Sequence, residues 1–89
     1  MRVDVWLHAV CLLKSRSMAK EACDRGKVLL NGTATKASRA VGAGDRIRVD
    51  LGVRILEVEV LDLPQGRPSR KQAPEFYRIL EGHTPAPGA

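Results

Sequence analysis

Apolar residues recur at helical spacing over the opening of the chain. Val3, Trp6, Leu7, Val10 and Leu13 fall on one stripe, which predicts a helix over residues 3–13. Asp4 in its first turn and Lys14 at its end suit the helix dipole. Val5 and Leu12 lie off the stripe, so this helix is expected to be covered on two sides. Ser15 and Ser17 offer N-cap oxygens for a second helix that runs to about Arg25. Met18, Ala19 and Ala22 form its apolar face, Glu21 and Arg25 are an i, i+4 pair, and Gly26 is placed to close it in a left-handed conformation.

From Lys27 onward the period changes from helical to extended. Val28-Leu29-Leu30, Asn31-Gly32 and Thr33-Ala34-Thr35 predict a hairpin, because Asn-Gly supplies the positive φ values of a tight two-residue turn. A loop over Lys36–Gly44 comes next. Arg46–Leu51 alternates strictly as a half-buried strand, and Gly52 breaks it. Arg54–Leu63 predicts another strand, with Leu56, Val58 and Val60 on one face and Glu57 and Glu59 on the other. Residues 64–74 are Pro-rich and basic and are expected to be a mobile linker. Glu75–Glu81 is expected to dock one short helical turn through Phe76, Tyr77, Ile79 or Leu80, and the residues from His83 to the end are expected to be disordered.

This order predicts an α+β domain, two N-terminal helices packed on a small antiparallel sheet with a short C-terminal helical turn. Residues 1–63 form the expected binding domain, 64–74 the linker, and 75–89 the helical turn and tail. With 89 residues there is one domain. A chain of this size buries only roughly 60% of its unfolded surface, which leaves no room for a catalytic domain beside a binding domain. A hydrophobic content of 44% suffices for folding without metal or disulfides.

Charge sharpens the picture. Residues 1–48 carry ten Lys and Arg against four Asp and Glu; residues 49–63 carry one Arg against four acids. A localised basic lobe of this kind attracts a polyanion, either nucleic acid or an anionic membrane. No exposed amphipathic helix with bulky aromatics is expected, which disfavours the membrane. The start of the chain has no apolar core of a secretory signal, and no apolar run approaches a membrane span, so a cytoplasmic location is expected. Cys11 and Cys23 are too far apart for a redox or zinc pair and are expected to be buried or half-buried free thiols.

The basic residues cluster where the helices meet, at Lys14-Ser15-Arg16-Ser17. Arg16 and Lys20 are four apart and share a helix face, above a helix N-terminus whose free N–H groups attract anions. Arg25 and Lys27 flank the helix exit, Lys36 and Arg39 lie in the later loop, and Arg2 precedes the first helix. One Trp, one Tyr and one Phe are too few for the stacking platform of a single-strand reader, so contacts are expected mainly to phosphates and folded RNA shape. Hydroxyls of Ser15, Ser17 or Ser38 and the Asn31 amide could add hydrogen bonds.

Catalysis finds no support. V-G-A-G-D fits neither the P-loop nor the dinucleotide pattern, His8 and His83 are isolated, and no nucleophile stands beside a base. No catalytic residue, metal site or cofactor is expected.

The blocks R-V-D-V-W-L, L-L-K-S-R-S-M-A-K-E-A, G-K-V-L-L-N-G, K-A-S and G-A-G-D-R-I-R-V, in this order, resemble the RNA-binding domain family named after ribosomal protein S-four. The resemblance implies that the two helices and the first hairpin form the RNA-binding face. It implies contacts from Arg2, Lys14, Ser15, Arg16, Ser17, Lys20, Arg25, Lys27, Asn31, Lys36, Ser38 and Arg39, with Arg2 and Arg16 foremost. Two stand-alone branches of the family come into question. The ribosome-associated quality-control branch is similar over residues 2–81, including the G-x-x-x-x-x-V-x-V strand from Gly52 and A-P-E-F-Y-R-I-L-E from Ala73. It implies a monomer that binds rRNA and tRNA on the large ribosomal subunit while a partner protein adds C-terminal residues to a stalled chain. The heat-shock branch, which implies recycling of large subunits carrying stranded peptidyl-tRNA, usually has a longer basic C-terminal helix that this chain lacks. A third implied origin is an RNA-targeting module derived from an rRNA-modifying enzyme.

Overall fold

In the computed structural model, which describes residues 1–83, the first helix is α1 (Val3–Ala9). It ends four residues short of the expected Leu13. The chain turns at Cys11, a non-glycine residue with φ of 62°. This lets the Cys11 N–H reach the His8 carbonyl and the Leu12 N–H reach the Leu7 carbonyl, both at 3.0 Å. That pair of bonds is the Schellman closure, with Cys11 where glycine usually stands.

The second helix, α2 (Arg16–Asp24), is capped by Ser15, whose hydroxyl accepts from the Met18 N–H at 3.1 Å. It closes with the same pair of bonds, Gly26 N–H to Cys23 and Lys27 N–H to Ala22, and Gly26 takes the left-handed position at φ 74°. Its buried face is Ala19 and Cys23 with Ala22 half-buried; Met18, expected on that face, is 46% exposed. Cys23 meets the expectation of a buried thiol. Cys11 does not, because its place past the helix end turns it to solvent.

The sheet is antiparallel throughout, in the order β2-β1-β3-β4-β5. Its strands are β1 (Val28–Leu30), β2 (Thr33–Ala34), β3 (Arg46–Asp50), β4 (Ile55–Val60) and β5 (Tyr77–His83). Asn31 and Gly32 both have positive φ, as the tight turn between β1 and β2 requires. The inward residues Val28, Leu30, Ile47, Val49, Leu56, Val58 and Val60 are buried against Val3, Trp6, Leu7 and Val10 of the helical layer.

The C-terminal part departs from expectation. The helical turn is a 3-10 helix at Ala73–Phe76, and from Tyr77 the chain is extended. The apolar spacing of Phe76, Tyr77, Ile79 and Leu80 fits a short helix and a short strand equally well. The free edge of β4 decides between them by offering backbone partners. Ala73 is in the core, Trp6 Nε1 donates to the Asp62 carbonyl at 3.3 Å, and the Trp6 and Tyr77 rings meet edge to face at 6.3 Å. Apart from His83, which ends β5, the disorder expected of the tail lies outside the described residues.

Candidate nucleic-acid interface

The basic residues fall into three places. The first is the start of α2. Lys14, Arg16, Ser17 and Lys20 are exposed, and neither Lys14, Arg16 nor Lys20 forms an ion pair with a described residue. Ser15 uses its oxygen as the helix cap and keeps its hydroxyl hydrogen as a donor. The first turn of α2 leaves N–H groups without intrahelical partners, of which the Met18 N–H is taken by Ser15. The acidic strand does not neutralise them. Glu57 and Glu59 lie opposite Arg48 and Arg46 on the outward sheet face, and Glu59 also pairs with Arg78.

The second place is built by backbone bonds. The Val3 and Asp4 N–H groups donate to the carbonyls of Arg39 and Ala37 at 2.8 and 3.3 Å, and the Val41 N–H donates to Met1 at 2.9 Å. The loop after the hairpin thereby satisfies the orphan donors at the start of α1. Buried Ala37 and Val41 anchor it, while Lys36, Ser38 and Arg39 stay exposed. Arg2 forms a bridge with Ala40 and joins this group. Its Nε and Nη2 donate to both carboxylate oxygens of Asp4 at 3.1 Å. Asp4 is 2% exposed and also accepts from the Val5 N–H at 2.8 Å. Arg2 is thus a structural clasp whose remaining N–H groups stay available to a ligand.

Arg25 and Lys27 occupy a third place, at the far end of α2, about 14 Å along the axis from Arg16. There they line a depression with Arg48 and Asp50. Arg25 pairs with Glu21 at 2.7 Å, an exposed contact that a ligand can displace. Asn31 lines a depression with Arg39 of the second place, but its amide is engaged within the fold. Its Nδ2 donates to Asp45 at 3.1 Å and its Oδ1 accepts from the Arg46 N–H at 2.9 Å, so the amide ties the hairpin to the turn before β3.

Sequence reasoning overlooked one group. Arg67 and Arg70 come back against the end of α1, where they line a groove with Cys11, Lys14, Pro74 and Tyr77. Nothing local marks this approach, since more than fifty residues separate Lys14 from Arg67. Burial, helped by Cys11 and opposed by Arg54, raises the Tyr77 hydroxyl above its usual pKa, so it remains a protonated donor at neutral pH. Burial first, then Asp4 and Asp24, likewise raise the Cys23 thiol. Among the described residues no three His, Cys, Asp or Glu side chains gather as a metal site, and no helix is long and apolar enough to cross a membrane.

The S4 domain pattern matches residues 1–47, more than half of the chain. The chain belongs to the S4 domain family. The matched part of this S4 domain contains both helices, the hairpin and the Lys36–Val41 loop; the Arg67–Tyr77 wall of the groove lies beyond it. The domain is 36% identical over 81 residues to the RQC P-site tRNA stabilizing factor of Bacillus subtilis, covering 91% of this chain and 93% of that protein. It is 40% identical over 81 residues to the heat shock protein 15 homolog of Aeromonas salmonicida, where the match covers 91% of this chain but only 61% of the relative. The trimeric structure of heat shock protein 15 of Vibrio cholerae superposes with a TM-score of 0.84 at 30% identity, over 89% of this chain and 80% of that one.

Proposed function

We propose that this S4 domain is a non-catalytic RNA-binding factor of the large ribosomal subunit, and that it steadies peptidyl-tRNA against rRNA while residues are added to the C-terminus of a stalled chain. The carrying observation is the start of α2, where Lys14, Arg16 and Lys20 stand exposed, without carboxylate partners among the described residues, around a helix N-terminus. Such a surface binds phosphate through charge and N–H donors together. The Arg2, Lys36, Ser38 and Arg39 group supplies a second row of contacts. Near-complete mutual coverage with the tRNA-stabilizing factor of Bacillus subtilis supports the quality-control role. In this role the protein works in the cytoplasm, is a monomer when free, and meets a tail-adding protein on the subunit.

Recycling of subunits after heat shock is the second reading, favoured by the TM-score of 0.84 to the Vibrio protein.

The test is RNA binding by the Arg16→Ala/Lys20→Ala variant. Affinity for structured rRNA or tRNA should drop by at least about 1 kcal/mol, and the slope of log affinity against log salt should become shallower by about two units. Thermal melting should be unchanged, because neither side chain makes a bond within the described fold. Unaltered binding would remove α2 from the account. Recovery of native complexes separates the two roles: large subunits with a tail-adding protein support quality control, and large subunits only after heat shock support recycling.

A further inference from the structure

The groove at the end of α1 is a cleft of about 580 Å3 between the turn after α1 and the segment that leads into β5. Three cations, Lys14, Arg67 and Arg70, line it, and among the described residues no carboxylate does. None of the three is ion-paired with a described residue. Glu75, the acid nearest in sequence, is exposed and is not part of the lining. Val10, Leu12, Leu13, Ala73, Pro74 and Tyr77 supply the apolar part of its lining. Convergent positive charge over an apolar floor is the chemistry that holds a nucleotide, with phosphate on the cations and base on the floor.

We propose that this groove is a second RNA contact, and that it takes one or two unpaired nucleotides of the RNA whose folded part lies against α2. The proposal rests on reading α2 as an RNA-binding face. Lys14 connects the two surfaces, because it lines the groove and immediately precedes Ser15, the cap of α2. A strand leaving a duplex held on α2 can therefore cross Lys14 into the groove without leaving positive potential. A duplex itself is too broad and convex to enter, whereas an unpaired nucleotide can splay its base onto a floor of this kind. The groove reads no base edge, so the contact tolerates sequence and favours single-stranded over paired RNA.

The experiment uses the full chain and two labelled RNA hairpins, one blunt and one with a short unpaired extension, followed by fluorescence anisotropy. The intact protein should bind the extended hairpin about tenfold more tightly than the blunt one. Arg67→Ala/Arg70→Ala should lose that advantage and shorten the salt slope for the extended hairpin by about one to two units, with blunt-hairpin binding unchanged. Arg16→Ala/Lys20→Ala should weaken both hairpins by the same factor. Exposed Cys11 provides a footprint against the buried Cys23: the extended hairpin, and not the blunt one, should slow alkylation of Cys11. Equal binding of the two hairpins, a groove variant that keeps the preference, or an unprotected Cys11 would overturn the proposal. So would uridine monophosphate that displaces the extension at concentrations similar to the RNA, since the groove would then be a free-nucleotide site. If the α2 variant binds both hairpins normally while the groove variant loses the preference, the reading of α2 fails and the groove stands.

Discussion

Arg2 and Arg16 are both exposed cations at the start of a helix, yet their surroundings give them different work. Arg16 projects from α2 with no ion-pair partner among the described residues. Arg2 holds Asp4, whose side chain is only 3% exposed. Removing Arg2 strips that buried carboxylate of its cation and leaves it the Val5 N–H, at a cost of about 1–3 kcal/mol. Arg2→Ala should therefore lower the Tm by at least about 5 °C as well as weaken RNA binding. Calorimetry beside a binding titration distinguishes this from Arg16→Ala; an unchanged Tm for Arg2→Ala would show that the clasp contributes nothing to stability. The α2 cations were legible in the sequence because i, i+4 spacing places them on one face. The tie from Asn31 to Asp45 was not, since a turn asparagine looks the same whether its amide faces solvent or a neighbouring loop.

At the scale of elements, the two helices end with the same hydrogen-bond pattern and different residues at the left-handed position. Gly26 adopts its φ of 74° without a steric penalty, whereas Cys11 at 62° carries one of about 1–2 kcal/mol. Cys11 is exposed, so replacing it removes little packing. Cys11→Gly is expected to raise the Tm by about 3–6 °C, as measured by thermal denaturation; a fall would mean that the thiol contributes more than its conformation costs. The same pair explains which helix boundary could be read in advance. The glycine announced the end of α2, while nothing about a cysteine announces a stop, and the apolar stripe continued through Leu13. The hairpin and the β3 and β4 alternation were legible for the same reason as α2: their signals lie within a few residues. The cue for β5 lies on another strand.

For the whole molecule, residues 1–63 contain every side chain that the sequence alone marks for RNA contact, but their packing is closed by the C-terminal segment. β5 covers the edge of β4, Ala73 fills part of the core, and Tyr77 meets the edge of Trp6. A chain cut after Leu63 should lose its cooperative melting transition, followed by Trp6 fluorescence. A cooperative melt close to that of the intact protein would show that the last strand merely rests on a finished fold. The same return of the chain brings Arg67 and Arg70 to Lys14, which is why the groove was invisible to any local reading.

The outward face of the sheet sets Arg46, Arg48 and Arg78 among Asp50, Glu57 and Glu59, with Glu81 opposite Glu57 in the register, so among the described residues this face carries no excess of positive charge. That side of the protein is electrically quiet. Polycations charged all round cross-link nucleic acids into networks, because each bound molecule still attracts the next polyanion. A molecule with such a back binds one RNA and presents to its surroundings a surface with little pull on another. It can therefore crowd onto a nucleic-acid-rich particle without gluing neighbouring particles together.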